Sequence, residues 1–180
     1  MTRTVTPRRE LRACEFSLER VASPLGVLLL VSDGEALRAL DFEDYEARMQ
    51  RLLTRHYGPV LLREGRDTSG ARAALAAYFD GELDALARVA VATGGTPFQR
   101  RVWRALRAIE SGRTTTYGQL ARRLRRPEAA RAVGLANGAN PIAIVVPCHR
   151  VIGANGALTG YAGGLARKRW LLRHEGVAVE

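Results

Sequence analysis

The sequence predicts an α/β protein in which a mixed α and β first half precedes a mainly helical second half. Three observations support this fold class. Short apolar segments bounded by Gly, Pro, Ser and Asp in the first half are typical of strands that are joined by tight turns. Apolar residues in the second half recur at helical spacing, and the excess positive charge lies in the same half.

Three strands and two helices are predicted in the first half of the chain. The strands cover residues 15–22, 27–32 and 36–42. Asp44 is suited to cap a helix that continues to about His56, before a Gly-Pro pair that stops it. Ser69 is suited to cap a second helix that ends near Phe79. We find no catalytic pattern here, so we expect this half to support the second half.

A Gly-rich polar segment at residues 93–97 marks a domain boundary, with one domain at residues 1–93 and the other at residues 94–180. Pro97 suits the first position of a helix because that position needs no N–H donor. The apolar residues that follow are spaced by four, four and three positions and therefore share one helical face. They are Phe98, Val102, Leu106 and Ile109.

Two further short helices, joined by an Arg-rich turn, form a helix-turn-helix pattern. Thr116 is suited to cap the first of them, which starts at Tyr117, and Pro127 starts the second. The second helix has almost no bulky side chains, so it either packs closely on a neighbouring helix or enters a DNA groove with Arg131 projecting from it. Its expected inward face consists of Ala129, Ala132, Val133 and Ala136.

The net charge of +10 is unevenly distributed between the two halves. Residues 1–93 contain 13 arginines and 14 acidic residues, whereas residues 94–180 contain 15 basic residues and four acidic ones, a balance of +11. A concentrated positive field attracts polyanions and speeds their capture. A general preference for arginine over lysine does not explain this asymmetry. We therefore expect the second half to bind nucleic acid, which favours the DNA interpretation of the thin helix.

Several classes of protein are disfavoured by the remaining composition. The longest apolar runs, at residues 27–31 and 142–146, are much shorter than the ~20 residues that span a bilayer. Residues 1–11 lack the apolar stretch of a secretory signal, so we expect a cytoplasmic protein with reduced thiols. The two cysteines and three histidines form no pair at metal-ligand spacing, so we expect no metal site.

The dipeptide Cys148-His149 is the candidate for chemistry. It follows the apolar run at residues 142–146, which predicts a strand that Pro147 ends, because proline has no N–H for the ladder. A cysteine attacks as the thiolate, and an imidazole held by a carboxylate can take up its proton. Neighbouring side chains of a strand point to opposite faces, so the two residues cooperate only if the backbone bends after Pro147 or a water bridges them. A buried cysteine without a chemical role is the more common alternative.

The run Pro147-Cys148-His149-Arg150-Val151 resembles the active-site motif of the O6-alkylguanine-DNA alkyltransferases, also called methylated-DNA–protein-cysteine methyltransferases. Further segments match this family in the same order and cover nearly all of residues 96–176. They are Thr96-Pro97-Phe98-Gln99, Val102-Trp103, Thr116-Tyr117-Gly118-Gln119-Leu120-Ala121, Ala130-Arg131-Ala132-Val133-Gly134, Ala139-Asn140-Pro141, Gly160-Tyr161-Ala162-Gly163-Gly164-Leu165 and Trp170-Leu171-Leu172-Arg173-His174-Glu175-Gly176.

The resemblance implies a set of catalytic roles. Cys148 would accept the alkyl group irreversibly, which leaves S-alkylcysteine and an intact guanine. His149 would act on the thiol through a water molecule, and Glu175 would orient the imidazole. Asn140 would brace the turn between the recognition helix and the active-site strand.

The resemblance also implies that the partner is double-stranded DNA containing O6-alkylguanine, read from the minor groove. Arg131 would fill the gap left by a flipped-out nucleotide, and Tyr117 would help to rotate that nucleotide. Further contacts are expected with DNA at Gln99 and Thr116 and with the extruded base at Tyr161 and Val151. The sequence does not distinguish O6-methylguanine from larger adducts or O4-methylthymine, because pocket width depends on packing.

For the architecture, the resemblance implies a ribonuclease H-like N-terminal domain and a winged helix-turn-helix in the C-terminal domain. No cofactor is expected because the damaged DNA is itself the donor, and we expect a monomer without an obligate protein partner. Two other hypotheses stay open. In one, the chain binds damaged DNA and Cys148 is structural. In the other, it is a thiol hydrolase, which leaves the basic half unexplained.

Overall fold

The computed structural model describes residues 13–179, so the expected lack of a secretory signal at residues 1–11 lies outside the described residues. A four-stranded sheet with two helices comes first, and a mainly helical part with two short parallel strands follows. The predicted α/β class and the order of its two parts are confirmed. Within the described part of the chain, no helix is long and apolar enough to cross a membrane.

The sheet of the first part has the strand order β3-β2-β1-β4. Its strands are β1 (Cys14–Ser23), β2 (Gly26–Ser32), β3 (Leu37–Phe42) and β4 (Val60–Glu64). The first three pair antiparallel, as expected for strands joined by tight turns, and β4 pairs parallel to β1. The prediction included the first three strands but missed β4. That strand is short and has no fully buried residue, so its hydrophobic pattern is weak.

Two helices, α1 (Glu46–Tyr57) and α2 (Ala71–Phe79), complete the first part. The predicted cap of α1 is wrong, and the predicted cap of α2 acts together with a second residue. Asp44 lies inside a short 3-10 turn that precedes α1, so it is too early in the chain to cap that helix. Ser69 donates its hydroxyl to Asp67, whose carboxylate accepts the N–H of Arg72 in the first turn of α2 over 3.2 Å. Ser69 Oγ also accepts the N–H of the first residue of α2 over 3.4 Å, so Ser69 and Asp67 both supply acceptors at the start of this helix.

The helices of the second part are α3 (Pro97–Arg107), α4 (Tyr117–Arg123), α5 (Ala130–Gly138) and α6 (Leu165–His174). The N-termini of α3 and α4 carry full capping boxes. Thr96 Oγ1 accepts the N–H of Gln99 over 3.2 Å, and the Gln99 amide oxygen accepts the N–H of Thr96 over 2.9 Å. Thr116 and Gln119 repeat this pair at 3.1 and 2.9 Å. The predicted starts of both helices are confirmed.

The inward face of α5 differs from the prediction. A 3-10 turn at Pro127–Ala129 precedes the helix, so Ala129 lies outside it and is half-buried, and Ala132 is exposed. Val133 and Ala136 are buried as predicted, and Asn137 completes the buried stripe. Alanine is found on both the buried and the exposed face of helices, so the alanines of α5 do not show which face is buried. A polar residue such as Asn137 adds no apolar signal that could correct the assignment. Trp103 Nε1 of α3 donates to the carbonyl oxygen of Ala136 over 2.8 Å, so the thin helix does pack closely on a neighbour.

The apolar run at residues 142–146 is not the predicted strand. Ile142 forms a single bridge with Leu40 of β3, after which the chain turns, and Val146 N–H donates to Ile142 O over 3.0 Å. Ile144 has a φ of 66°, a left-handed conformation that a β-branched residue rarely adopts. All five residues are buried, because this turn lies at the centre of the main core between the two parts. An apolar run cannot by itself distinguish a buried strand from a buried turn.

Candidate active site

Cys148 begins a 3-10 turn, Cys148–Arg150, which directly follows the buried turn and Pro147. Its side chain is 4% exposed, and the thiol is free, as is that of Cys14 in the first part. The backbone therefore bends after Pro147, which was the condition for cooperation between Cys148 and His149. In a 3-10 turn the two side chains are about 120° apart rather than on opposite faces.

Asn140 connects the buried turn to the thiol. Its Nδ2 donates to Sγ of Cys148 over 3.1 Å and to the carbonyl oxygen of Val146 over 2.8 Å. Its Oδ1 accepts the N–H of Ile142 over 3.0 Å. One amide thus holds both ends of the turn and points a donor at the sulfur, a geometry that stabilises a thiolate there.

His149 and Glu175 form a buried pair, with Nε2 and Oε1 2.9 Å apart and both side chains fully buried. Glu175 directly follows α6, so the end of the chain folds back onto the active-site turn. A carboxylate can only accept, so Nε2 carries the proton and Nδ1 holds the free lone pair of a neutral imidazole. Nδ1 is buried and has no hydrogen-bond partner within residues 13–179. It is the nitrogen that can accept a proton.

Glu175 has two further partners that sequence reasoning missed. Arg150 donates from Nε to Oε2 over 2.9 Å and from Nη2 to Oε1 over 2.8 Å. Tyr78 of α2 donates its hydroxyl to Oε1 over 2.8 Å. The matched motif contains Arg150 but does not show what its side chain contacts. Tyr78 lies 97 positions from Glu175, so local sequence offers no signal for this contact.

The protonation states follow from burial and from these bonds. Burial lowers the pKa of His149, against the opposing effect of Glu175. Burial also raises the pKa of the Cys148 thiol, which the hydrogen bond from Asn140 opposes. For Glu175, burial alone would raise the pKa, but His149 and Arg150 outweigh it and hold the pKa far below its usual range. The resting site therefore contains a thiol, a neutral imidazole and a carboxylate.

Residues 151–164 lie beside the thiol and carry two of the predicted pocket residues. Val151 is fully buried in β6 (Val151–Ile152), which pairs parallel with β5 (Thr115–Thr116). The ring of Tyr161 meets the rings of His149 and Phe42 edge-on, at 6.4 Å between centroids in both cases. The Tyr161 hydroxyl is buried without a partner among the described residues.

Lys168 of α6 holds residues 151–164 in place through two hydrogen bonds. Its side chain is fully buried, and Nζ donates to the carbonyl oxygens of Val151 and Thr159, each over 2.6 Å. Burial lowers the pKa of Lys168 to about 8. Tyr117 Oη also donates to Thr159 O, over 3.4 Å, so α4 and α6 hold the same point of the segment. A buried lysine has no signature in sequence, and Lys168 was not among the predicted site residues.

The predicted DNA contacts other than Tyr117 lie at helix N-termini or on the exposed face of α5. Arg131 is exposed on α5, and Leu135, one turn further on, is 77% exposed. Gln99 and Thr116 belong to the two capping boxes, so the Gln99 amide oxygen and the Thr116 hydroxyl are already hydrogen-bonded. The structure thus brings Cys148, His149, Glu175 and Asn140 together and leaves Arg131 on the outer surface.

The fold and the site define a helix-turn-helix protein with a buried cysteine beside an imidazole–carboxylate pair. Comparison with known families gives two matches. Residues 19–93 match the 6-O-methylguanine DNA methyltransferase ribonuclease-like domain, and residues 97–177 match the DNA binding domain of the same family. The chain belongs to the 6-O-methylguanine DNA methyltransferase family, which confirms the resemblance found in the sequence.

Relatives cover almost the whole chain. The methylated-DNA–protein-cysteine methyltransferase of Salmonella typhimurium is 58% identical over 161 residues, 88% of this chain and 94% of the relative. The protein of that name from Methanosarcina acetivorans is 47% identical over 154 residues, with coverages of 86% and 94%. The crystal structure of Mycobacterium tuberculosis OGT in complex with DNA matches with a TM-score of 0.75 and 45% identity, covering 88% of this chain and 92% of that one.

Proposed function

We propose that this chain repairs alkylated DNA by moving the alkyl group of O6-alkylguanine onto Sγ of its own Cys148. The observation that carries the proposal is the contact of this sulfur with Asn140 beside the buried His149–Glu175 pair, in a chain of this family. The DNA in the structure of the Mycobacterium tuberculosis relative supports DNA as the partner. The names of the relatives support a methylated-DNA–protein-cysteine S-methyltransferase.

The first chemical step is loss of the Cys148 proton, because the thiolate is the nucleophile. Nδ1 of His149 accepts this proton through a water molecule, and Glu175 stabilises the resulting imidazolium. The sulfur then forms a bond to the alkyl carbon while the bond between that carbon and O6 of guanine breaks. The electron pair of the broken bond stays on the guanine, which takes up the proton. Cys148 is left as a stable thioether, so each molecule reacts once.

The alkylated base has to leave the helix to meet a buried sulfur. Its O6 cannot be reached inside the base stack, and extrusion costs a few kcal/mol. Arg131, which is exposed on α5, fills the vacated space, and the small residues of α5 let the helix approach the minor groove closely. Tyr117 packs beside Gly134 of α5, where it can guide the rotating nucleotide. Gln99 and Thr116 lie at helix N-termini, which favour DNA phosphates.

The proposal includes the organisation of the chain. Residues 94–180 form the DNA-binding and alkyltransferase domain, and residues 1–93 form the supporting domain. The bridge from Leu40 to Ile142 supports this division of roles, because it fastens the active-site turn to the first sheet. The chain acts as a cytoplasmic monomer, without a cofactor or an obligate protein partner.

The test is incubation of excess protein with a duplex that contains one O6-methylguanine, followed by nucleoside analysis of the DNA. We expect the methylated nucleoside to be replaced by deoxyguanosine in an amount equal to the protein consumed. Cys148→Ser should bind the duplex and leave the lesion, whereas Cys14→Ser, the matched control, should repair it. Duplex that is bound by the wild type and keeps its lesion would contradict the proposal and indicate a damage-binding protein.

A further inference from the structure

One carboxylate oxygen in the site accepts three hydrogen bonds. Oε1 of Glu175 lies 2.8 Å from the Tyr78 hydroxyl, 2.8 Å from Nη2 of Arg150 and 2.9 Å from Nε2 of His149. Tyr78 belongs to α2 of the first part, and its side chain is fully buried. Burial and the neighbouring Glu175 raise the pKa of Tyr78, so its hydroxyl keeps its proton and remains a donor.

Donors that share one oxygen compete for its electron density. Each hydrogen bond to Oε1 withdraws charge, and this weakens the attraction of the same oxygen for the other donors. The Arg150 bond belongs to an ion pair that cannot be removed without leaving a buried charge. Tyr78 is the neutral donor that competes with His149 for this oxygen, so its contribution can be tested by deleting one hydroxyl.

Other groups also face the pair, and none of their contacts uses the Tyr78 hydroxyl. The groups near His149 are Cys148, Arg150, Tyr161 and Lys168. The ring of Tyr78 meets His174 at 5.0 Å between centroids, and His174 Nε2 lies 2.7 Å from the carbonyl oxygen of Tyr78. Both of these contacts survive in phenylalanine, so Tyr78→Phe removes a single interaction from this cluster.

We infer that Tyr78 is a positioning residue that limits the proton affinity of His149 by sharing Oε1 of Glu175. The first part of the chain thereby lowers the proton affinity of His149, the base of the proposed reaction, in addition to supporting the fold. The role of this effect in alkyl transfer rests on the proposed function. The hydrogen-bond effect itself is measurable on the protein without DNA.

The experiment is a ¹⁵N NMR titration of the histidine rings in the wild type and in Tyr78→Phe, from about pH 5 to about pH 9. Signals are assigned with His56→Gln and His174→Gln. In Tyr78→Phe we expect the His149 midpoint to rise by about half a pH unit, because Oε1 attracts the imidazolium more strongly. If His149 stays neutral over the whole pH range in both proteins, the NMR signal of the proton on Nε2 should shift downfield in the variant.

Tyr57→Phe is the matched control, because the Tyr57 hydroxyl donates to Ala92 O and accepts the N–H of Gly94 at the boundary between the two domains, and it makes no contact with Glu175 or His149. It should leave the signals of His149 unchanged. The inference would be overturned if, in Tyr78→Phe, the titration midpoint of His149 and the chemical shift of its Nε2 proton stay unchanged or change in the opposite direction. An equal change in Tyr57→Phe would also overturn it. Absence of methyl transfer by the wild type would instead contradict the proposed function.

Discussion

Nη2 of Arg48 lies 2.7 Å from the carbonyl oxygen of Gly138, the last residue of α5. The same nitrogen donates to Asn140 O over 3.0 Å, and Nη1 pairs with the buried carboxylate of Asp41 over 2.6 Å. A side chain from α1 therefore satisfies carbonyl groups at the end of α5 that the helix itself leaves free. This contact holds α5 and the active-site turn against the first sheet.

Arg48→Met should lower the free energy of unfolding by on the order of 3 kcal/mol, because it leaves Asp41 buried and unpaired. Urea unfolding monitored by circular dichroism measures this loss. Arg63→Met is the matched control, since Arg63 pairs with Glu15 on the surface with both side chains more than half exposed. That variant should change stability by less than about 1 kcal/mol. Equal effects of the two substitutions would contradict the capping role of Arg48.

Asn140→Ala should slow alkyl transfer at least about tenfold, the rate equivalent of one hydrogen bond to a charged sulfur. The variant loses both the donor to Sγ of Cys148 and the bonds that hold the turn. Single-turnover reaction with free O6-benzylguanine measures the rate without any contribution from DNA binding. Asn155→Ala, in an exposed loop, should react like the wild type. An unchanged rate in Asn140→Ala would show that the thiolate does not depend on this amide.

Arg131→Ala should slow repair of duplex DNA by about tenfold or more, since the vacated space in the stack is no longer filled. Its reaction with free O6-benzylguanine should be nearly unchanged, because Arg131 is exposed and makes no contact with the buried site. Arg88→Ala removes the same charge from the exposed surface of the first part and should affect neither substrate. Equal losses on duplex and free base in Arg131→Ala would contradict an intercalating role.

Glu175 should make stability depend on acid pH. Its folded pKa is depressed below the unfolded value, so its contribution is complete above about pH 4.3 and is lost as the pH falls towards the folded pKa. The difference in unfolding free energy between the wild type and Glu175→Gln should therefore shrink on acidification. Urea unfolding of both proteins over a pH series measures it. Two curves that stay parallel below about pH 4 would contradict the depressed pKa.

The parts of the fold that sequence predicted have local signals. The Thr-x-x-Gln spacing of the two capping boxes and the helical apolar stripe of α3 each lie within a dozen residues. The turn at residues 142–146 has no such signal, because its shape depends on the bridge to Leu40 and on the amide of Asn140.

The candidate site also combines features that have a local sequence signal with features that have none. The motif around Cys148 and the family resemblance predicted the residues that surround the thiol. The contacts of Tyr78 with Glu175 and of Arg48 with Gly138 join positions 97 and 90 residues apart in the chain. Such contacts depend on how the first sheet docks against the helices, so no pattern in the residues themselves reveals them.

Intact-mass spectrometry of the protein after reaction with an O6-methylguanine duplex shows directly whether Cys148 becomes methylated. We expect a gain of one methyl group per molecule, located on the peptide that contains Cys148 and absent in Cys148→Ser. Cys14→Ser should gain the same mass as the wild type. An unchanged mass while the duplex is bound, or a methyl group located on Cys14, would rule out alkyl transfer to Cys148.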